Sequence, residues 1–385
     1  MSLALLSTLA PFATDMYLPV FPRMAAELDV PVSVIQLTLT TFFLGVAAGQ
    51  LVIGPISDKL GRKPPLLVGS ILCLLASAAA ALAPNAEILL GARLVQGFTG
   101  AAGIVIARAI VADIYRGVLA AKMFSLLAMV GGVAPVIAPL IGGLLAIPVG
   151  WRGILWALTV VTAIMLVAVI VVIPETHHPK QQVAPDPRRG LAMLHLLRRP
   201  GFMANAVLMT FAFVVLMGYI ASSPFIFQSI MGLGVLGSGV LFAINSAGIL
   251  LGSTVNMRLV EKHGQHRMMR VGLVGLVIGV LLLVATQALN LPGLFIEVPL
   301  LFFTVSVGFL FGNPVALALG YAADARGAGS ALIGAAQFLG GAAVAPVVGV
   351  AGPESLVPLT LVAIVGTVVC LVCFWVSVRI GPTPH

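Results

Sequence analysis

The chain has 385 residues, of which 60% are hydrophobic and 8% charged, with a mean hydropathy of +1.16 and a formal net charge of +8. Soluble domains hold roughly 45–50% apolar residues, so the composition excludes a water-soluble globular protein. A spanning helix needs about 20 residues, so the length holds about twelve spans joined by short loops and leaves no room for a sizeable soluble domain.

Apolar runs broken by charges, prolines and glycine turns predict spans at 2–23, 34–55, 65–83, 88–110, 121–146 and 153–173, then at 203–229, 235–257, 269–288, 295–319, 328–350 and 356–378. No basic stretch precedes the first, so a cleaved signal peptide is not expected. The first span carries one acid in Ala13-Thr14-Asp15-Met16-Tyr17-Leu18-Pro19. A charged side chain at mid-membrane costs about 2.5–3.5 kcal/mol on insertion scales, so Asp15 marks a function and should face a central cavity. Burial favours the neutral form of a carboxyl and a nearby cation its ionised form. Such a group can toggle as its surroundings change, which proton coupling requires; the alternative is a permanent ion pair without a transport role.

Between the second and third spans, Gly54-Pro-Ile-Ser-Asp58-Lys59-Leu-Gly61-Arg62-Lys63 packs one acid and three bases together. Such a cluster needs water and reads as a short loop. In the fourth span, Arg93-Leu-Val-Gln96-Gly97 places an always-charged guanidinium in the membrane, where it must find a partner or water. Asp15 is the candidate, directly or through water and Gln96; the alternative is that Arg93 only braces the two spans. In the fifth, Pro135, Pro139, Gly142 and Gly143 remove backbone bonds and bulk, permitting a kink and close packing.

Between Pro174 and Pro200 the composition changes to prolines, charges and the pair His177 and His178, read as a linker and a solvated bend. Its end, Arg188 to Arg199, alternates basic pairs with leucines, as expected of a helix lying in the headgroup layer. With the N-terminus inside, sixteen of the twenty Lys and Arg fall on the cytoplasmic side, so the net charge is a topology signal and calls for no nucleic acid. After the fourth span comes Asp113-Ile-Tyr-Arg116-Gly117, echoed after the tenth by Asp324-Ala-Arg326-Gly327. Two six-span halves suit a transporter with its substrate bound between them. Cys370 and Cys373 lie in an apolar run and read as structural. HExxH, GxSxG and P-loop motifs are all missing, which disfavours a polytopic membrane enzyme or an ATP-driven pump.

The loop Gly54 to Lys63 resembles the signature between helices 2 and 3 of the major facilitator superfamily. Arg93-Leu-Val-Gln96-Gly97 resembles a second signature, that of the superfamily's proton antiporters, and Ala138-Pro139-Leu-Ile-Gly142-Gly143 a third, with Ala138 where glycine is usual. The first span is similar to that of the Bcr/CflA drug and proton antiporters, the bicyclomycin and chloramphenicol-type exporters. The resemblance implies an all-α fold of twelve membrane helices in two pseudo-symmetric six-helix bundles, 1–174 and 201–385, with the cytoplasmic linker 175–200 between them. It implies export of small drug-like compounds in exchange for protons, with Pro139, Gly142 and Gly143 preventing leak. Gly54, Asp58, Lys59, Gly61, Arg62, Lys63 and Asp113 would form a cytoplasmic latch. In it Arg62 pairs with Asp113, and Asp58 meets the positive end of helix 11.

The reading is therefore a bacterial inner-membrane exporter with both termini cytoplasmic, acting as a monomer, driven by the proton gradient and needing no cofactor or metal. The alternative is a proton-coupled or passive importer of a metabolite. Asp15, Arg93 and Gln96 would couple protons. Thr14, Asp15, Tyr17, Phe211, Phe213, Tyr219, Asn245, Gln337 and Phe338 are the candidates for lining the substrate cavity.

Overall fold

A computed structural model describes residues 2–115, 117–176, 193, 195–322 and 325–381, and among them the chain is almost wholly helical with no strand. The linker histidines, most of the predicted headgroup-layer helix, Arg116 and Asp324 lie outside the described residues. The helices are α1 Ser2–Asp15, α2 Phe21–Glu27, α3 Val32–Leu60, α4 Lys63–Ala81, α5 Ala86–Ile114 and α6 Gly117–Val172. They continue with α7 Pro200–Phe225, α8 Val235–His263, α9 Gln265–Ala288, α10 Glu297–Leu310, α11 Gly312–Tyr321, α12 Arg326–Val347 and α13 Val357–Ile380. Lipid offers a backbone no hydrogen bonds, so long apolar runs must satisfy their own as helices.

Among the described residues, ten helical stretches are long and apolar enough to cross a membrane. One of them, within α6, is two spans joined at Gly150, whose φ of 64° no helix permits. With α1 as the first, they give the twelve spans of the expected architecture.

Two expectations need correction. The first span, 2–23, is not one helix: α1 stops at Asp15, a 3-10 turn covers Leu18–Val20, and α2 begins at Phe21. Pro19 has no N–H and disfavours a helical residue before it, and Pro22 follows three positions later. The charged segment Gly54 to Lys63 is not a loop over its length either, because α3 continues through Asp58 and Lys59 to Leu60. Gly61, at φ 92°, ends it, and α4 starts at Lys63 with two prolines behind it, where missing N–H groups do no harm.

The chain divides into two compact units, Met1–Ala184 with Gly234–Ala243, and Pro185–Leu233 with Ile244–His385. In the first, α5 packs on α3 and α4, and α1 lies on α5 and α6. A Cβ on Gly97 would overlap the carbonyl oxygen of Phe42, so α3 and α5 touch backbone to backbone. In the second, α7 packs against α13, α12 and α11, and α9 against α10 and α13. The most apolar stretch of the α7 span is 72% buried and that of α13 28%, which makes α7 an inner helix and α13 a lipid-facing one.

Candidate functional site

The break after Asp15 organises the first unit. A helix leaves its last carbonyls without intrahelical partners. Met16 N–H still reaches Phe12, at 3.3 Å, but the Ala13 carbonyl is taken by a side chain, Nη2 of Arg93, at 2.7 Å. A guanidinium at a helix C-terminus also meets the negative end of the dipole. Arg93 is fully buried, donates through Nη1 to Gln96 Oε1, and stacks between the rings of Tyr17 and Phe42 at 4.7 and 4.5 Å from their centroids. Gln96 passes the bond on, its Nε2 donating to Ser77 Oγ at 2.7 Å. Tyr17 is held in turn by Thr38, oxygen to oxygen at 2.8 Å.

Asp15 is 4% exposed, and the Thr14 hydroxyl donates to its Oδ1 at 2.9 Å. Among the described residues it forms no ion pair, with Arg93 or any other cation. The fold thus brings Thr14, Asp15, Tyr17, Arg93 and Gln96 to one place, but the arginine grips the backbone beside Asp15 instead of its carboxylate. The freed carbonyl, Gln96 and the two ring faces take up the guanidinium without a counter-charge, and its Nε stays buried with no hydrogen-bond partner.

The glycines of α6 close around the same break. A Cβ on Gly142 would collide with the carbonyl oxygen of Met16, so only glycine lets α6 approach the chain where α1 ends. Gly143 faces Val235 and Leu236 at the start of α8, and the Pro139 carbonyl faces Gly239.

Where α3 ends, α4 begins and α5 ends, Arg62 is the hub. Nε donates to Asp113 Oδ2 at 2.8 Å, and Nη1 to Asp58 Oδ1 at 2.6 Å and to Ser57 Oγ at 2.9 Å. Burial works against its charge, but Asp113 and Asp58 outweigh it and hold the guanidinium more firmly protonated than an ordinary arginine. Sequence reasoning missed Glu175, whose carboxylate accepts from the N–H groups of Arg62 at 2.8 Å and Lys63 at 3.0 Å. It caps α4 and fills the space where a Cβ on Gly61 would stand. Lys59 is exposed and Gly54 meets Val105.

In the second unit, Phe213 and Phe338 meet edge to face with centroids 5.7 Å apart, and Tyr219 is buried. Phe211 and Gln337 are half-buried. Asn245 binds an acid that sequence reasoning passed over, donating to Glu297 Oε1 at 2.6 Å. A lone acid inside the predicted tenth span was the signal for it.

Residues 3–346 match the family profile described as Major Facilitator Superfamily. The chain is 31% identical over 376 residues to an uncharacterized MFS-type transporter, YdgK, of Bacillus subtilis, covering 97% of this chain and 93% of the relative. It is 30% identical over 363 residues to a bicyclomycin resistance protein homolog of Haemophilus influenzae, covering 93% and 90%. Its fold is similar to that of a bacterial homolog of the human lysosomal transporter Spinster, with a TM-score of 0.78 at 16% identity over 100% of this chain and 96% of the other.

Proposed function

The chain belongs to the Major Facilitator Superfamily, and we propose that this multi-pass membrane transporter exports small amphipathic drugs or antibiotics in exchange for protons. What carries the reading is Asp15, a buried carboxyl at a break in a membrane helix, held by one hydroxyl and by no cation among the described residues. A proton and a cationic or polar group of the substrate compete for that carboxyl, and competition for one site is what exchange needs. Arg93 and Gln96 hold the helix end that carries it. The bicyclomycin resistance homolog supports the substrate class, the first-span motif the Bcr/CflA group, and the fifth-span motif antiport.

The two six-helix bundles, 1–174 and 201–385, are joined by the linker 175–200 on the cytoplasmic side, and transport is by alternating access. Arg62, with Asp58, Asp113 and Glu175, fastens the cytoplasmic ends of the first bundle when that side is closed. The protein works as a monomer in the bacterial inner membrane with both termini in the cytoplasm. It needs no cofactor: each charge crossing 100 mV is worth about 2.3 kcal/mol, and a pH difference adds to it.

The test is expression in a pump-deficient bacterium challenged with a panel of antibiotics and dyes, with and without an uncoupler. Raised tolerance to some compounds, abolished by the uncoupler and by Asp15→Asn, is the expected result. Tolerance that survives both favours a facilitator, and no change for any compound removes drug export.

A further inference from the structure

Glu297 is a carboxyl for which exchange at Asp15 has no use. It opens α10, inside the apolar stretch Gly293–Tyr321, where every other residue is uncharged. Asn245 of α8 is fully buried and donates Nδ2 to Glu297 Oε1 at 2.6 Å. Thr304, two turns along α10 on the same face, sets its hydroxyl 3.1 Å from the Leu301 carbonyl and 3.5 Å from Asn245 Oδ1. The second oxygen, Oε2, is buried and has no hydrogen-bond partner.

No cation among the described residues compensates this group, for Glu297 is in no ion pair there. Of the elements packed on α10, α7 carries only Tyr219 as a titratable side chain and α11 only Tyr321, whose hydroxyl is bonded to the Gly381 carbonyl. The charged residues of α8 begin at Arg258, thirteen positions past Asn245 and so about 20 Å along the helix. Those of α9, His266, Arg267 and Arg270, sit in its first turns, at the end remote from Gly293. An ionised Glu297 would rest on one neutral donor with an oxygen left bare, and a buried charge is costly unless it is paired and hydrogen-bonded.

We propose that Glu297 is a second proton-carrying group of the transporter, in the unit that does not contain Asp15, with Asn245 as its positioning residue. Asn245 occupies Oε1, so the proton joins Oε2; on release the O–H electron pair stays on the carboxylate and the proton passes to water. The charge distribution places this end of the span on the outer side, where protons enter during export. A proton held here adds a charge to each cycle, over and above the one Asp15 carries.

Infrared difference spectra of the purified transporter, titrated across neutral pH, read the carbonyl stretch of protonated carboxyls directly and need no substrate. The wild type should lose two such bands, Asp15→Asn one, and Asp15→Asn with Glu297→Gln neither. Asn245→Leu removes the donor to the ionised form, so the Glu297 midpoint should rise by about one pH unit, a tenfold gain in proton affinity. A packing contact alone would leave that midpoint unmoved. If the Asp15→Asn protein shows no titrating band, or one that Glu297→Gln leaves in place, the proposal fails. Should Glu297→Gln not fold, the Asn245→Leu shift in the Asp15→Asn background decides, since Glu297 is then intact. Loss of the Asp15 band alone would sink exchange at Asp15 and leave Glu297 standing, so the two failures are distinct.

Discussion

A single guanidinium does three things at Arg93: it caps the broken end of α1, orients Gln96, and fills the gap between two aromatic rings. Only a planar fork reaches in two directions at once; an ammonium is a point charge on a flexible stem. Arg93→Lys keeps the charge but strands either the Ala13 carbonyl or the Gln96 amide oxygen. An unsatisfied buried acceptor costs about 1–3 kcal/mol, so the variant should unfold several degrees lower in detergent and lose at least tenfold in uncoupler-sensitive efflux. If charge alone mattered, the lysine variant would match the wild type in both, and thermal unfolding beside an efflux assay separates the cases. Arg62 answers to the opposite logic, since its partners are carboxylates. Arg62→Gln leaves Asp58 and Asp113 without the cation that separates them, and should weaken the cytoplasmic closure while sparing Asp15 chemistry. Faster labelling of a cysteine placed at Lys59 would report it.

Helices were legible in the sequence because lipid leaves an apolar run no other structure, yet their ends were not. α3 runs on past the hydrocarbon to Leu60 because the limit on an apolar run is set by lipid, whereas a helix is stopped by its own backbone, here at Gly61. Asp15 and Arg93 were legible for the same reason as the spans, since a charge in a membrane stands out. The orientation of Arg93 was not, because it depends on a carbonyl freed by the Pro19 break, and no spacing rule reports that. Glu175 was hidden in the composition of the linker, and only the fold brings it under α4.

Two glycines of α6 separate steric from conformational need. At Gly142 an added Cβ runs into the Met16 carbonyl oxygen, so Gly142→Ala must push α6 off the end of α1. Overpacking of this kind costs typically about 1–3 kcal/mol and should disturb exchange. At Gly150 nothing lies within 4 Å, and the cost of Gly150→Ala is only that of a left-handed φ. With ψ at −172° that conformation is essentially reserved for glycine, and the cost is about 1–3 kcal/mol, felt in thermal unfolding but not in transport. Equal effects of both on efflux would show that α6 needs its glycines for shape alone.

At the scale of the whole molecule, orientation rests on one bias: Lys and Arg gather at the ends of even-numbered connections, while Asn290 and its neighbours between α9 and α10 carry no basic residue. Crossing an odd number of spans reverses the side, so Lys59 and Asn290 must lie on opposite faces, whichever way the chain inserts. Both are exposed, and the native cysteines sit within the spans. A membrane-impermeant thiol reagent added to intact cells should therefore modify Asn290→Cys and spare Lys59→Cys. Inverted vesicles should give the reverse. Modification of both from one side would break the twelve-span count itself, because an even number of crossings between them would require one of the spans from α4 to α9 to be missing. Modification of Lys59→Cys alone in intact cells would keep the count and invert the protein. It would place the Arg62 cluster outside, and the outer end of α10, with Glu297, on the cytoplasmic side.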